Sequence, residues 1–228
     1  MPGPGFSGNP ERVSITAELV SYLLSTIGAL IPIVNPFSTA PMVVTMTATL
    51  TDAERKSQVR RACIYMFFIL TSFLVAGGLI MSFLGISIPG LRIAGGLVIA
   101  FVGFRMLFPA TAPARHDNPA EPPYKQDISF TPLAMPSLAG PGSIAVVIGM
   151  SSTAQASNYA IMRHALIAVG IALTAVFCYY VLRGATKLAR FLGPTGVTAM
   201  GGIMGFLLVC IGVQFVINGV LHVRESLS

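Results

Sequence analysis

Two short stretches hold the residues with chemistry to offer. In IPIVNPFSTAP, positions 31 to 41, Asn35, Ser38 and Thr39 sit among Pro32, Pro36 and Pro41. In PLAMPSLAGPGSIA, positions 132 to 145, Ser137, Gly140, Gly142 and Ser143 sit among Pro132, Pro136 and Pro141. Proline has no N–H for the carbonyl four residues earlier, and its ring crowds that carbonyl. The first stretch is therefore expected to free the carbonyls of Gly28, Pro32 and Phe37, and the second those of Ile128, Pro132 and Ser137. Each freed group costs several kcal/mol in hydrocarbon and must face protein, water or a ligand. A half-helix that resumes after a break presents unpaired N–H groups and a positive dipole end, a combination that binds a carboxylate. The expected substrate-binding set is Asn35, Pro36, Ser38, Thr39, Ser137, Gly140, Pro141, Gly142 and Ser143. Arg92, Gln214 and Asn218 are accessory candidates.

The surrounding composition says what holds these residues. The chain has 228 residues, of which 54% are hydrophobic and 10% charged, against about 25% charged in soluble proteins. No charge occurs from Leu19 to Thr51, Ala62 to Leu91, Ile128 to Met162, Ala165 to Leu182 or Phe191 to Val223, and Ile93 to Phe104 is a shorter stretch bounded by arginines. A bilayer span needs about 18 to 20 apolar residues, so the fold class is all-α and integral to a membrane, with six transmembrane helices. Leu91 to Phe108 is the third. A straight helix from Leu19 to Thr51 would run about 50 Å at 1.5 Å per residue, against a core of about 30 Å. It must tilt, break or re-enter.

The net charge of +6 follows the positive-inside rule rather than a nucleic-acid footprint. Arg55, Lys56, Arg60, Arg61, Arg105, Arg115, Lys125, Arg183, Lys187 and Arg190 fall on one side, and Arg12, Arg92, Arg163 and Arg224 on the other. Both termini are expected outside. Arg92 and Arg105 each also have a plainer role as headgroup anchors. The opening residues lack the basic and apolar regions of a cleaved signal, so the first span is expected to act as its own insertion signal. Thr51 and Glu54 have capping-box spacing at the start of the second helix.

The Gly/Pro-rich residues 1–13 are expected to form a disordered tail, and the proline-rich residues 109–127 a cytoplasmic linker. Residues 14–108 and 128–228 then form two three-helix halves. Pro32, Pro36 and Pro41 recur at 132, 136 and 141; Leu84-Gly85 recurs as Leu192-Gly193, and Gly95-Gly96 as Gly201-Gly202. A second register places Asn35-Pro36-Phe37-Ser38 over Gly140-Pro141-Gly142-Ser143. Three helices is an odd number, so a duplicated half must enter the membrane from the opposite side, as an inverted repeat whose helices one and four are proline-broken.

Cys63, Cys178 and Cys210 lie in apolar segments without CxxC spacing and read as packing residues. That argues against a transmembrane thiol carrier, which needs a redox cysteine beside each break. Gly201 and Gly205 form a GxxxG expected to pack helices closely. Gln214 and Asn218 share one helix face, where interhelical hydrogen bonding accounts for them as well as a cavity does. His116, His164 and His222 are scattered, so no metal site is expected; nor is a cofactor, a catalytic residue or an enzyme activity. No Asp or Glu lies within the spans, which leaves Na⁺ coupling through oxygens, or H⁺ coupling through a less obvious carrier.

The stretches NPFSTAP, ISIPGLRIAGGLVIAFVGFRMLFP (87–109), PLAMPSLAGPGSIA and MGFLLVCIGVQFVINGV (204–220) resemble the MarC family, named for multiple antibiotic resistance. The resemblance implies six spans in a bacterial inner membrane with both termini periplasmic. It also implies kinship to neutral amino-acid transporters and, more distantly, to LysE-type exporters. The expected function is secondary transport or export of a small neutral amino acid or similar zwitterion, with lipid, a small-molecule substrate and further copies of the chain as partners. The competing expectation is a non-transporting membrane stress or assembly factor.

Overall fold

A computed structural model describes residues 10–108, 127–155 and 159–227, and the regular structure among them is entirely helical. The chain runs α1 (Pro10–Val34), α2 (Pro36–Met46), α3 (Asp52–Phe83), α4 (Ile88–Leu107), a segment of wide π-type turns (Ser129–Leu138), α5 (Pro141–Gln155), α6 (Ala160–Arg183) and α7 (Ala185–Leu227). Residues 1–9 of the expected tail and 109–126 of the expected linker lie outside the described residues. Helix α1 corrects the tail boundary, since it begins at Pro10, inside the segment expected to be disordered. Proline suits that position because a first-turn N–H has no helical partner to lose.

Helix ends follow local chemistry. The Thr51–Glu54 capping box is formed in full: Glu54 N donates to Thr51 Oγ1 at 3.3 Å, and Thr51 N donates to Glu54 Oε2 at 2.9 Å. At the far end of α3, Gly85 turns left-handed at φ 64°, and Ile86 N donates back to the Met81 carbonyl at 2.9 Å. Gly193 has the matching φ of 63° and separates the first turns of α7 from its long run. The expected pairing of Leu84-Gly85 with Leu192-Gly193 thus holds only in the sign of φ: Gly85 closes a turn, whereas Gly193, at ψ 176°, is extended in a region that only glycine enters at little cost.

Four helical runs are long and apolar enough to cross a bilayer alone, and two bent pairs bring the number of spans to six if each pair counts once. The pairs are Leu19–Val34 with Pro36–Met46, bent 42°, and Ser129–Leu138 with Pro141–Gln155, bent 59°. Both expected broken helices are bent where the prolines cluster. The interior is shared by all of them, with Leu30, Met66, Leu133, Ile171 and Leu182 fully buried. Phe68, Leu79, Phe101, Ile161 and Phe206 point outward, an apolar surface in keeping with a lipid surround.

Polar side chains link helices inside that interior. Ser151 Oγ on α5 lies 2.8 Å from the Leu74 carbonyl of α3 and 3.0 Å from His164 Nε2 of α6, while His164 Nδ1 lies 2.8 Å from the Ala160 carbonyl. At the start of the π-type segment, Asp127 accepts from the Ser129 hydroxyl and backbone N–H and pairs with Arg61 at 3.4 Å. The Ser129 hydrogen bonds, assisted by Arg61, hold its carboxyl below the usual carboxylate range.

The tightest seam lies between α4 and α7. A Cβ built on Gly96 would meet the Gly212 carbonyl at 2.5 Å, one on Gly103 the Gly205 carbonyl at 2.6 Å, and one on Gly219 the Ile93 side chain at 2.6 Å. Gly205, Gly212 and Gly219 therefore form a row at a spacing of seven, facing Gly96 and Gly103 at the same spacing. This corrects the GxxxG expectation: Gly205 packs, but a Cβ on Gly201 would meet nothing within 4 Å. Gly201-Gly202 likewise do not repeat the packing role of Gly95-Gly96. Seven residues return a helix to nearly the same face, whereas four turn it by about 40° beyond a full turn.

Gly212→Ala should therefore cost about 1–3 kcal/mol, as an overpacked core does, and lower the apparent Tm in detergent. Gly201→Ala should stay within about 0.5 kcal/mol of the parent. Equal melting of the two variants would show that the glycine seam does not hold α4 to α7.

Candidate functional site

The first break is made by one residue. Asn35 adopts φ 44° and ψ 68°, the only non-glycine with positive φ among the described residues. Asparagine tolerates that region better than most residues because its short amide bonds locally. Its Oδ1 accepts from Ser38 N at 3.2 Å, capping α2, and its Nδ2 donates to Met106 Sδ of α4 at 3.6 Å. Its carbonyl accepts from Ser38 Oγ at 3.0 Å and from Thr39 Oγ1 at 3.4 Å. Pro36 is the first residue of α2, where a missing N–H costs nothing. Pro32 and Pro41 lie inside helices, so the first stretch breaks once, between them.

The second break is longer. Thr131 and Met135 leave helical geometry, and Pro132 and Pro136 follow them through cis peptides. Wide turns take back two carbonyls: Leu133 N donates to Ile128 O at 3.2 Å and Ala139 N to Ala134 O at 2.8 Å. The Ile128 carbonyl is thus not left free as the proline spacing implied. After Gly140, Pro141 opens α5 as Pro36 opens α2. Ser143 Oγ donates to the Gly140 carbonyl at 2.9 Å, the same hydrogen bond over the same spacing as Ser38 to Asn35. Local structure therefore matches the second sequence register, Asn35-Pro36-Phe37-Ser38 with Gly140-Pro141-Gly142-Ser143. Gly140 has no room for a side chain, because a Cβ would meet the Pro136 carbonyl at 2.6 Å.

The two breaks meet at one cavity of about 370 Å³. Ser38, Thr39, Ser137, Gly140, Pro141, Gly142 and Ser143 line it, seven of the nine residues expected to bind substrate. Asn35 is 3% exposed, and neither it nor Pro36 is on the wall. Its place is behind the wall, holding α2 to α4. The rest of the lining is apolar: Ile33, Met42, Val98, Ile99, Val102, Met106, Pro136 and Leu208. Nothing in the periodicity of α4 or α7 separates these from lipid-facing residues, so the sequence carried no signal for them. No ionised side chain lines the cavity. Ser38, Thr39, Ser137 and Ser143 bring hydroxyls to it, and the N–H groups of Gly142 and Ser143 have no partner among the described residues. Those N–H groups sit at the positive end of α5.

The accessory candidates are elsewhere. Arg92 and Asn218 line a second cavity of about 260 Å³ with Tyr22, Ser25, Thr26 and Thr153. Arg92 Nη2 donates to Thr153 Oγ1 at 3.2 Å, so the guanidinium reaches across to α5. Gln214 is not on that wall, but its Nε2 donates to Asn218 Oδ1 at 2.9 Å. Cys63 and Cys178 are buried, Cys210 is exposed, and none lines either cavity. Among the described residues no cluster of His, Cys, Asp or Glu has the geometry to hold a metal ion.

Replacing Asn35 separates its two duties. Asn35→Ala loses the cap and places a Cβ-bearing residue without a local hydrogen bond at positive φ, and should cost about 1–3 kcal/mol. Asn35→Gly keeps the permitted φ and should cost only a few tenths. Thermal unfolding of both in detergent checks this, and equal losses would exclude the backbone role.

Comparison with known proteins agrees on one relationship. The family described as MarC family integral membrane protein matches residues 20–223. The inner membrane protein MarC of Escherichia coli (strain K12) is 41% identical over 206 residues, covering 86% of this chain and 93% of that protein. The inner membrane protein MarC of Shigella flexneri is similar to the same extent. No solved structure matches the chain.

Proposed function

Since the chain belongs to the MarC family and is a multi-pass inner membrane protein, we propose that the cavity between the breaks is the transport site for a small neutral amino acid or similar zwitterion. The observation that carries this reading is the convergence of both breaks on one cavity without an ionised side chain. A volume of about 370 Å³ lies in the range of small-molecule sites, about 300–1,000 Å³. A neutral wall favours a molecule with no net charge, because an unpaired ion there would be strongly penalised. The carboxylate takes the N–H groups of Gly142 and Ser143 at the start of α5. The ammonium takes the oxygens of Ser38, Thr39 and Ser143, whose protons are already given to carbonyls.

In this reading residues 14–108 and 128–228 are inverted three-helix repeats joined by a cytoplasmic linker, both termini are periplasmic, and alternating access rocks one repeat against the other. The matched hydrogen bonds of Ser38 and Ser143, each three residues after the break, support the repeat. The basic residues concentrated on one side support the orientation.

Flux of labelled glycine, alanine and serine into proteoliposomes, under a Na⁺ and then an H⁺ gradient, tests the reading. Saturable flux is expected for the parent chain. Ser38→Leu, which fills the cavity, and Gly140→Leu, which displaces the second break, should each lower it at least tenfold while inserting normally. Flux that never saturates, or that survives both substitutions, would sink this assignment.

A further inference from the structure

The second cavity is built on four helices that also line the first. Helix α1 contributes Thr26 to one and Ile33 to the other, α4 contributes Arg92 and Ile99, α5 contributes Thr153 and Ser143, and α7 contributes Asn218 and Leu208. On α5 the linings are adjacent, since Ser143 borders the first cavity and Val146 the second. Three residues rise about 4.5 Å along a helix, so the two spaces are stacked and about one turn apart. Ile99 on the wall of the first cavity and Val146 on the wall of the second are both buried, 2% and 1% exposed.

The polar groups of the second cavity are divided by hydrogen-bonding sense. On one side are donors. Arg92 spends one N–H on Thr153 Oγ1, leaving the remainder of its five, and no carboxylate pairs with it among the described residues. Asn218 Oδ1 is occupied by Gln214, which leaves the Nδ2 hydrogens available. On the other side are acceptors. Ser25 Oγ and Thr26 Oγ1 both donate to the Tyr22 carbonyl, at 2.8 and 2.9 Å, so their oxygens offer only lone pairs. A guanidinium facing a bare cavity asks for an anion, and hydroxyl oxygens with their protons spent ask for a donor.

We propose that this second cavity is a waiting site for an α-amino acid, in which Arg92 and Asn218 hold the carboxylate and Ser25 and Thr26 accept from the ammonium. The identity of the cargo rests on the transport reading above; the carboxylate site itself does not. Arg92 is then more than a headgroup anchor, because its guanidinium is turned toward α5 and a cavity wall. From this site the amino acid passes the buried side chains of Val146 and Ile99, one on each cavity wall, to reach the breaks. It exchanges a charged partner for neutral backbone N–H groups, so the first site discriminates against net charge while the second collects.

The test is a ¹⁹F NMR titration of 3-fluoroalanine against the full chain in lipid nanodiscs, carrying Ser38→Leu so that the first cavity is filled. Val98→Phe fills the same cavity from α4 and serves if Ser38→Leu does not insert. Saturable broadening is expected with Arg92 intact, at least tenfold weaker binding with Arg92→Gln, and an intermediate affinity with Arg92→Lys. The decarboxylated probe 2-fluoroethylamine should not saturate in any variant. Binding that is indifferent to Arg92→Gln, or absent with Arg92 present, overturns the proposal. Arg92-dependent binding in a protein that shows no flux would leave the waiting site standing and remove the transport reading instead.

Discussion

In an apolar surround every backbone N–H and C=O left without a partner is a loss of several kcal/mol, and that constraint orders this molecule. Two helices are interrupted inside such a surround, and each interruption is repaired from within by a hydroxyl one turn on. Ser38 and Thr39 return protons to the Asn35 carbonyl, and Ser143 returns one to the Gly140 carbonyl. The repair is uneven, since the Asn35 and Gly140 carbonyls are served while the first N–H groups of α5 have no partner among the described residues. What remains is a short run of backbone donors at the start of α5, among residues that line the cavity.

The tendency to break was legible in the sequence, but the place was not. Three prolines in the first stretch are each able to disrupt a helix, yet Pro32 and Pro41 are carried within helices, flanked by the buried Leu30, Val34, Ala40 and Val43. The break fell to Asn35, whose side chain can both cap and reach Met106. In the second stretch a wide turn recovered one carbonyl, that of Ile128, which the spacing alone counted as free. Seven of the nine expected residues reached the wall because their sequence signal, small and polar amid prolines, reflects the same need for close approach that makes the cavity. The apolar half of the wall carried no comparable signal. Ile99 and Leu208 look like any other residue of their helices until the tertiary arrangement turns them inward.

Glycine spacing teaches a related lesson. The four-residue pair Gly201 and Gly205 is the familiar pattern, yet the seven-residue row makes the contact. Shape complementarity along a whole helix decides which pattern is used, and only the partner helix reveals it. With Gly96, Gly103, Gly205 and Gly212 at backbone distance, α4 and α7 form a continuous wall. Both cavities open between that wall and the proline-broken elements. Stiffness is therefore concentrated on one side of each cavity, and the interrupted backbone on the other.

The glycine seam also sets what solvent can do to the fold. Between two helices already surrounded by hydrocarbon, association draws on van der Waals contact rather than on expulsion of water. Its strength is measured against how well acyl chains or detergent tails fill the same groove. Urea, which acts through the aqueous phase, should leave such a seam largely alone, whereas short or slender amphiphiles compete for it directly. The thickness and ordering of the host bilayer thus become part of the structural determinants of this protein, as much as any residue along the two helices.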